Sequence, residues 1–239
     1  MLGATVRGAG GRLLQASYTL GNSRDTWSGG QVGNADFENG AGGAADWFDP
    51  EYELGPSNFD VRHNLVVNGT FELPGAGLTG ITRALFAGWQ FAGVLQMSSG
   101  IPFTPYIGFD HAGDQQSDTL QQRPDLAGPV RYPRTAEQWF DPAAFVLPAA
   151  GTFGNAGRNS LRAPGVKTFD VSVSRRLRIR RVRTELRLEA FNVFNWVNPG
   201  LPSATVLFNP DGTRFAGAGR ITTTAIPGRQ VQLGLRVAF

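Results

Sequence analysis

Four carboxylates lie close together in one segment of the chain and have the chemistry to coordinate a divalent cation. They are Asp46, Asp49, Glu51 and Glu53, within a stretch from residue 21 to 60 that contains eight acidic residues and one arginine. Carboxylate oxygens are the ligands that Ca²⁺ and Mg²⁺ prefer. The spacing is not that of an EF-hand, however, and acidic surface loops are common. We therefore interpret the segment as a solvated loop in which these four residues are candidate ligand or cation contacts.

Other residue groups with chemical potential have simpler interpretations. His111 lies between Asp110 and Asp114, with Asp118 nearby, but a lone histidine among loop carboxylates is typical of turns rather than of a metal site. The glycine-rich segments at residues 8–12 and 154–160 lack the Lys-Ser/Thr ending of a phosphate-binding loop. The sequence contains no plausible catalytic triad, carboxylate pair or cofactor fingerprint. It predicts neither an enzyme nor a bound cofactor.

Composition alone favours a soluble protein. The 239 residues include no cysteine, which excludes disulfides and thiolate chemistry, and the mean hydropathy is −0.18. No apolar run approaches the roughly 18–20 residues of a transmembrane helix. The pI of 9.8 raises the possibility of a nucleic-acid partner. The basic residues cluster between residues 167 and 187, whereas a nucleic-acid surface more usually shows one basic face with aromatics between the charges, so we predict no such partner.

Alternation of apolar and polar side chains changes this interpretation. Six segments alternate with the period of two that is typical of β-strands: residues 13–20, 61–73, 88–98, 168–179, 182–192 and 230–239. Five of them have 10 or more residues, whereas strands of globular proteins have about 5–6 and a tilted membrane-spanning strand has about 9–11. A half-solvated soluble sheet would also alternate, so the pattern leaves both alternatives open.

The connections between the six segments separate these alternatives. Residues 74–87 and 180–181 form short links, whereas residues 21–60, 99–167 and 193–229 form long ones. Alternating long and short connections are typical of outer-membrane barrels, which have long extracellular loops and short periplasmic turns. This order predicts a periplasmic C-terminus. The arginines around residues 180–181 would then lie at the periplasmic membrane edge.

The last strand and the aromatic residues also fit a barrel. Apolar side chains alternate back from a terminal aromatic residue, as in the strand that the barrel-assembly machinery recognises: Val231, Leu233, Leu235, Val237 and Phe239. Four further aromatic residues fall near predicted strand ends, where an interfacial girdle would place them: Tyr18, Phe71, Trp89 and Phe91.

Several segments resemble one family both in amino-acid sequence and in their order along the chain. Phe-Asp-Val-Arg-His-Asn-Leu at residues 59–65 resembles a segment of TonB-dependent outer-membrane receptors, in particular the Oar-like group. The other matching segments are residues 88–93, 99–103, 154–165, 189–195 and 228–233. The resemblance extends from about residue 13 to residue 239. It implies that residues 1–239 correspond to the C-terminal segment of such a receptor. The signal peptide, the plug domain and the earlier barrel strands would then lie outside this segment.

We therefore predict an all-β fold: about six antiparallel, up-and-down transmembrane strands of a partial barrel, with long extracellular loops. The resemblance implies outer-membrane localisation and TonB-dependent uptake of a bulky nutrient. The expected partners are the barrel-assembly machinery, outer-membrane lipid and, through the plug only, the TonB complex. A soluble β-sandwich that binds carbohydrate or another surface ligand is the main alternative. A small barrel assembled from several copies is a second.

Overall fold

The computed structural model describes residues 1–28, 46, 49–74, 77, 79–114, 122–179, 182–203 and 205–238. Helical structure in these residues consists of one α-helix, α1 (Gly80–Phe86), and two 3-10 turns at Pro50–Glu53 and Pro142–Ala144. No helix in this part of the chain is long and apolar enough to cross a membrane.

Thirteen strands, numbered in chain order, account for the regular structure of the described residues. Seven long strands form one sheet: β1 (Leu2–Gly8), β2 (Arg12–Leu20), β5 (His63–Glu72), β6 (Trp89–Ser98), β11 (Val166–Ile179), β12 (Val182–Phe191) and β13 (Gln230–Ala238). The other six have two residues each and form three pairs: β3 (Arg24–Asp25) with β4 (Gly55–Pro56), β7 (Pro102–Phe103) with β10 (Leu161–Arg162), and β8 (Asp125–Leu126) with β9 (Phe145–Val146).

The large sheet is an up-and-down meander. Its order is β1-β2-β5-β6-β11-β12-β13, and every neighbouring pair is antiparallel. β1, β5, β11 and β13 therefore end, and β2, β6 and β12 begin, at one end of the sheet, which we call the turn end. β2, β6 and β12 end, and β5, β11 and β13 begin, at the other end, the loop end, which adjoins the long connections. The edge strands β1 and β13 are first and seventh in the alternating series, so they run in the same direction.

The six predicted strands are confirmed, with bounds that differ by at most two residues. The sequence did not predict β1, because only Leu2, Ala4 and Val6 alternate there before the glycines begin. Gly10 and Gly11 both have positive φ, at 73° and 71°, and form the tight turn that pairs β1 with β2. Helix α1 was also missed, because its seven residues are too few to establish a helical period.

The register gives the sheet two unlike faces, since residues paired across strands share a face. One row of paired residues crosses all seven strands on the apolar face: Val6, Leu14, Gly69, Gly93, Val171, Ala190 and Val231. The adjacent row lies on the polar face: Arg7, Leu13, Thr70, Ala92, Ser172, Glu189 and Gln232. No described side chain of the seven strands is buried. Neither face therefore packs into a core as it would in a β-sandwich.

The buried core lies in the long connections at the loop end. We call the described residues of 21–62, 99–165 and 192–229 the loop cap. The largest buried apolar cluster belongs entirely to it: Phe103, Phe140, Phe145, Ala156, Leu161, Ala163, Leu207, Phe208 and Ala218. Backbone hydrogen bonds join the second and third connections, with Trp139 N–H donating to the Gly219 carbonyl at 2.8 Å and Leu207 N–H to the Tyr106 carbonyl at 2.9 Å. The loop cap is thus a packed unit above the sheet.

The joint between the sheet and the loop cap depends on a close backbone approach at Gly100. A Cβ atom there would lie 1.8 Å from the Ala163 carbonyl oxygen. We expect Gly100→Ala to destabilise the loop cap by about 1–3 kcal/mol, because the backbone must move to accommodate the methyl group. Resistance to limited proteolysis during heating measures this. Gly128→Ala is the matched control, since its Cβ would meet no atom within 4 Å; equal resistance of the two variants would contradict the prediction.

Candidate functional site

The apolar face of the sheet has the dimensions of a membrane-facing wall. In β11, Lys167 and Arg175 lie on this face eight residues apart, and Phe169, Val171 and Val173 lie between them. Eight residues correspond to about 27 Å along the strand, or about 21 Å across a bilayer for a tilt near 40°. Lysine and arginine side chains extend from an apolar layer toward water. The two cations therefore mark the edges of an apolar band close to membrane thickness.

The predicted interfacial aromatics lie at both ends of this band. At the turn end, Phe71 and Phe91 are register partners with ring centroids 6.4 Å apart. In the same region, the Arg175 guanidinium lies 5.4 Å from the centroid of the Trp89 ring. Tyr18 lies at the loop end, where its hydroxyl is 2.8 Å from His63 Nδ1. These positions are compatible with an aromatic girdle, which stays a prediction.

A second aromatic group at the loop end was not predicted. Phe169 stacks on Phe194 with a centroid distance of 5.5 Å, and Phe194 contacts the tilted ring of Trp196 at 5.0 Å. Lys167 Nζ lies 5.0 Å from the Trp196 ring. Phe194 is 60% exposed. Sequence reasoning missed these residues because Phe194 and Trp196 follow the end of β12, where alternation stops.

The polar face carries ionic and hydrogen-bonded side chains. Arg187 contacts Glu185 at 2.8 Å and Glu189 at 3.6 Å, and Arg176 contacts Glu185 at 3.6 Å. Gln232 of β13 donates to the Glu189 carboxylate. Such a row can line an aqueous lumen, whereas it would be costly against lipid. The two faces thus match two different solvents.

The C-terminal strand presents the predicted apolar side chains along an edge of the sheet. Val231, Leu233, Leu235 and Val237 share the apolar face with β12 and are exposed, Leu233 to 73%. Phe239, the terminal aromatic of the predicted assembly signal, lies outside the described residues. Recognition of this strand by an assembly factor stays a prediction.

Glu53 forms a buried ion pair with an arginine from another loop. Arg123 Nη1 lies 3.0 Å from both carboxylate oxygens, and the Arg123 and Glu53 side chains are 2% and 6% exposed. Arg123 also donates to the Ala156 and Tyr52 carbonyls, and its guanidinium lies 3.7 Å from the centroid of the Tyr52 ring. Burial raises the pKa of the Tyr52 hydroxyl, which donates to the Gly154 carbonyl at 2.7 Å. The first and second connections are thereby held together.

Two further arginines of the second connection bind carboxylates of the first. Arg158 pairs with Asp25, and Arg162 with Asp60. Burial on its own would raise the pKa of Asp60, but hydrogen bonds from Arg162 and the Ser23 N–H, together with the arginine charge, outweigh it and lower the pKa. At Asp25, burial is likewise outweighed by hydrogen bonds from Ser57, Arg158 and Ser28. Both aspartates are therefore stabilised in the charged form.

The four candidate cation contacts do not assemble into a metal site in the described residues. Glu53 is paired with Arg123, as described above. Asp49 caps the 3-10 turn by accepting a hydrogen bond from the Glu51 N–H at 3.0 Å. Neither Asp46 nor Glu51 joins a group of three or more ligating side chains in this part of the chain. Glu53 and Asp49 therefore have structural roles in the loop cap. Contact with a ligand stays a prediction.

The Asp110–Asp114 segment forms turn structure, as its composition indicated. The buried Gln122 amide organises it, accepting from the His111 and Ala112 N–H groups and donating to Asp110 and Asp114. His111 Nε2 lies 2.9 Å from the Pro148 carbonyl. These carboxylates serve an amide side chain and not a metal cluster among the described residues.

Comparison with known protein families identifies the kind of protein to which the seven-stranded sheet belongs. A family model described as an outer membrane beta barrel domain matches residues 2–232. The chain belongs to this outer membrane β-barrel family. Searches of curated proteins and of solved structures found no match. The apolar face of the barrel sheet therefore faces the lipid of the outer membrane, and the polar face is turned away from it.

Three of the segments that resemble TonB-dependent receptors contain residues that hold the loop cap together or join it to the sheet. Asp60 belongs to the 59–65 segment, and its partner Arg162 belongs to the 154–165 segment. In the 189–195 segment, Asn192 adopts φ 48° and is buried. Its N–H donates to Asp170, and its side chain exchanges hydrogen bonds with the Trp196 backbone. Asparagine tolerates this left-handed conformation better than most residues. In these segments Asp60, Arg162 and Asn192 thus serve the geometry of the loop cap.

Neighbouring residues of β11 test which face contacts lipid. We expect Val171→Arg to reduce the folded, heat-modifiable form of the barrel in outer membranes, because a cation on the lipid face costs about 2–4 kcal/mol near the bilayer midplane. Ser172→Arg is the matched control, since residue 172 lies on the polar face opposite Glu189. Electrophoretic migration with and without heating measures the folded fraction. Equal loss in both variants would contradict the assignment of faces.

Removal of the buried arginine tests the joint between the first two connections. We expect Arg123→Ala to destabilise the loop cap by about 3–5 kcal/mol, because Glu53 would be left buried without its counter-charge. Protease resistance of the loop cap on heating measures the change. Arg131→Ala removes an exposed arginine of the same connection and should leave it unaltered. A loss of similar size in the control would indicate a general charge effect instead.

Acid should weaken the loop cap through Asp25 and Asp60. Because their pKa values lie below 3.8 in the folded chain, the unfolded state binds protons more readily, and stability rises with pH. This contribution is complete above about pH 5 and is lost as the pH falls through 3.8 toward the lower folded values. Tryptophan fluorescence between pH 7 and pH 3 measures it. Asp60→Asn should flatten the profile and the surface variant Glu137→Gln should not; identical profiles would contradict the prediction.

Proposed function

We propose that the chain forms barrel wall and ligand-facing loops of a TonB-dependent receptor that imports a bulky nutrient across the outer membrane. Membership of the outer membrane β-barrel family provides the location. The order of the receptor-like segments along the chain supports the more specific assignment. The chain would therefore contribute a binding surface and a passage wall rather than catalysis.

The packed loop cap is the observation that carries this proposal. Its connections enclose their own apolar cluster and are fixed by the Arg123, Arg158 and Arg162 pairs. Ordering so many loop residues has a large entropic cost. A fixed loop surface can present a preformed site to a ligand, which lowers the cost of binding. A protein that served only as a membrane anchor would not require such a surface.

The open edges of the sheet support a barrel that has more than seven strands. Since β1 and β13 run in the same direction, joining them directly would create a parallel pair in an otherwise antiparallel sheet. Bacterial outer-membrane barrels are antiparallel throughout and have an even number of strands. Closure therefore requires an odd number of additional strands. A ring of copies of this sheet would contain parallel seams, which disfavours the small oligomeric barrel.

Orientation and partners follow from the same proposal. The turn end, with the end of β13, would lie in the periplasm, and the loop cap would lie outside the cell. The barrel-assembly machinery would engage β13 through its open edge by strand addition. The TonB complex would act through a plug domain and not through this wall.

Uptake measurements test the function. In the native host, we expect loss of this barrel and loss of TonB to abolish growth on the same bulky nutrient, tested with siderophores, oligosaccharides and oligopeptides as sole sources. Complementation with wild type and with Ser172→Arg should restore growth, whereas Arg123→Ala should restore it poorly because the loop surface is disordered. Normal growth of the barrel mutant on every source, or uptake that survives a protonophore, would contradict the proposal.

A further inference from the structure

A cavity at the turn end combines positive charge with the edge of the lipid-facing wall. Its volume is about 540 Å³, and the side chains of Arg83, Arg175 and Glu72 line it together with the backbone at Gly10 and Gly88. Arg175 projects from β11 on the apolar face, and Arg83 belongs to α1, in the connection between β5 and β6. Two separate elements of the wall therefore bring guanidinium groups to one cavity.

The charges of the cavity favour an anion. Two guanidinium groups and one carboxylate leave a net positive charge among its lining side chains. Arginine presents several N–H donors in a planar fork that matches the oxygens of a phosphate group. The stacking of Arg175 on Trp89 fixes one of these forks at the level of the aromatic residues. A phosphate at this position would lie at the depth where lipid headgroups begin.

The surroundings of the cavity are apolar, which distinguishes a lipid from a free anion. Ile81 and Phe86 of α1 are 76% and 58% exposed. Phe91 lies on the apolar face beside Trp89, and the Arg12 guanidinium lies 5.2 Å from the Phe71 ring on the same face. Exposed apolar side chains next to cations are typical of surfaces at a membrane interface. An inorganic ion would use only the charges, whereas an amphiphile would use both features.

We propose that this cavity binds the phosphate headgroup of an anionic phospholipid through Arg83 and Arg175, with the acyl chains along the apolar face at Phe91 and Val173. The leaflet rests on the orientation proposed above, which places the turn end in the periplasm and thus beside phospholipid rather than lipopolysaccharide. The barrel wall would then carry a specific lipid at its inner edge.

Retention of lipid by the purified protein tests this inference. Protein extracted from outer membranes in mild detergent is exposed to phosphatidylglycerol or phosphatidylcholine, and bound lipid is counted by native mass spectrometry. We expect wild type to prefer phosphatidylglycerol and the Arg83→Gln/Arg175→Gln variant to bind it about 30-fold more weakly. Arg176→Gln is the matched control, because Arg176 lies on the polar face with its side chain 77% exposed.

Further measurements test the role of the guanidinium groups, the role of the apolar surroundings and the orientation of the barrel in the membrane. The double variant Arg83→Lys/Arg175→Lys keeps the charge but loses the planar fork, so it should bind phosphatidylglycerol more weakly than wild type and more tightly than the glutamine variant; binding as tight as that of wild type would overturn the role of the guanidinium groups, and equal binding of the two lipids by wild type would overturn the proposal. Displacement of bound phosphatidylglycerol by inorganic phosphate at an equal concentration would also overturn it, because the apolar surroundings would then add nothing to binding. Because the chain has no cysteine, Ala9→Cys and Ala216→Cys report orientation by maleimide labelling of intact cells. If intact cells label Ala9→Cys and not Ala216→Cys, the leaflet assignment is overturned. The proposed uptake function is tested separately, by the growth experiment above.

Discussion

A strand that crosses a bilayer must find a partner on a neighbouring strand for each backbone N–H and C=O, because hydrocarbon offers none. In this chain six antiparallel pairings meet the requirement for the strands between β1 and β13, and the outer edges of β1 and β13 stay open. Each strand must also satisfy lipid on one side and water on the other. The apolar row through Val171 and the polar row through Ser172 are the direct result. The sheet consequently has no interior of its own.

The buried core is displaced into the loop cap for the same reason. Phe103, Phe140 and Phe145 pack there and not between strands. Long connections carry many polar backbone groups and charges, so their packing needs specific partners as well as apolar contact. The pairing of Arg123 with Glu53 meets this need, because the guanidinium also donates to the Ala156 and Tyr52 carbonyls and so satisfies polar groups of both connections. We regard its contribution as specificity of loop geometry more than net stability.

A strand is recognised from neighbouring residues, whereas the role of an acidic residue depends on a partner that lies far away in the sequence. Alternation in residues 168–179 or 182–192 is visible within one strand and located β11 and β12 closely. In β1 the same signal was too short to recognise. The acidic segment stands out by its composition, but the partner of Glu53 is Arg123, 70 residues further along the chain. No local pattern links the two. Arg158 and Arg162 likewise carry no mark of pairing with Asp25 and Asp60.

From the sequence alone, alternation located six of the seven long strands and the polar and apolar face of each, because a β-strand places successive side chains on opposite faces. The lengths of the connections were also visible in the sequence, and their alternation favoured a membrane barrel over a half-solvated sheet. How those connections fold is visible only in the folded chain: Arg123 meets Glu53, Phe194 contacts Trp196 beyond β12, and Arg83 and Arg175 line one cavity. Such contacts join residues on different elements, so they depend on how the chain closes on itself.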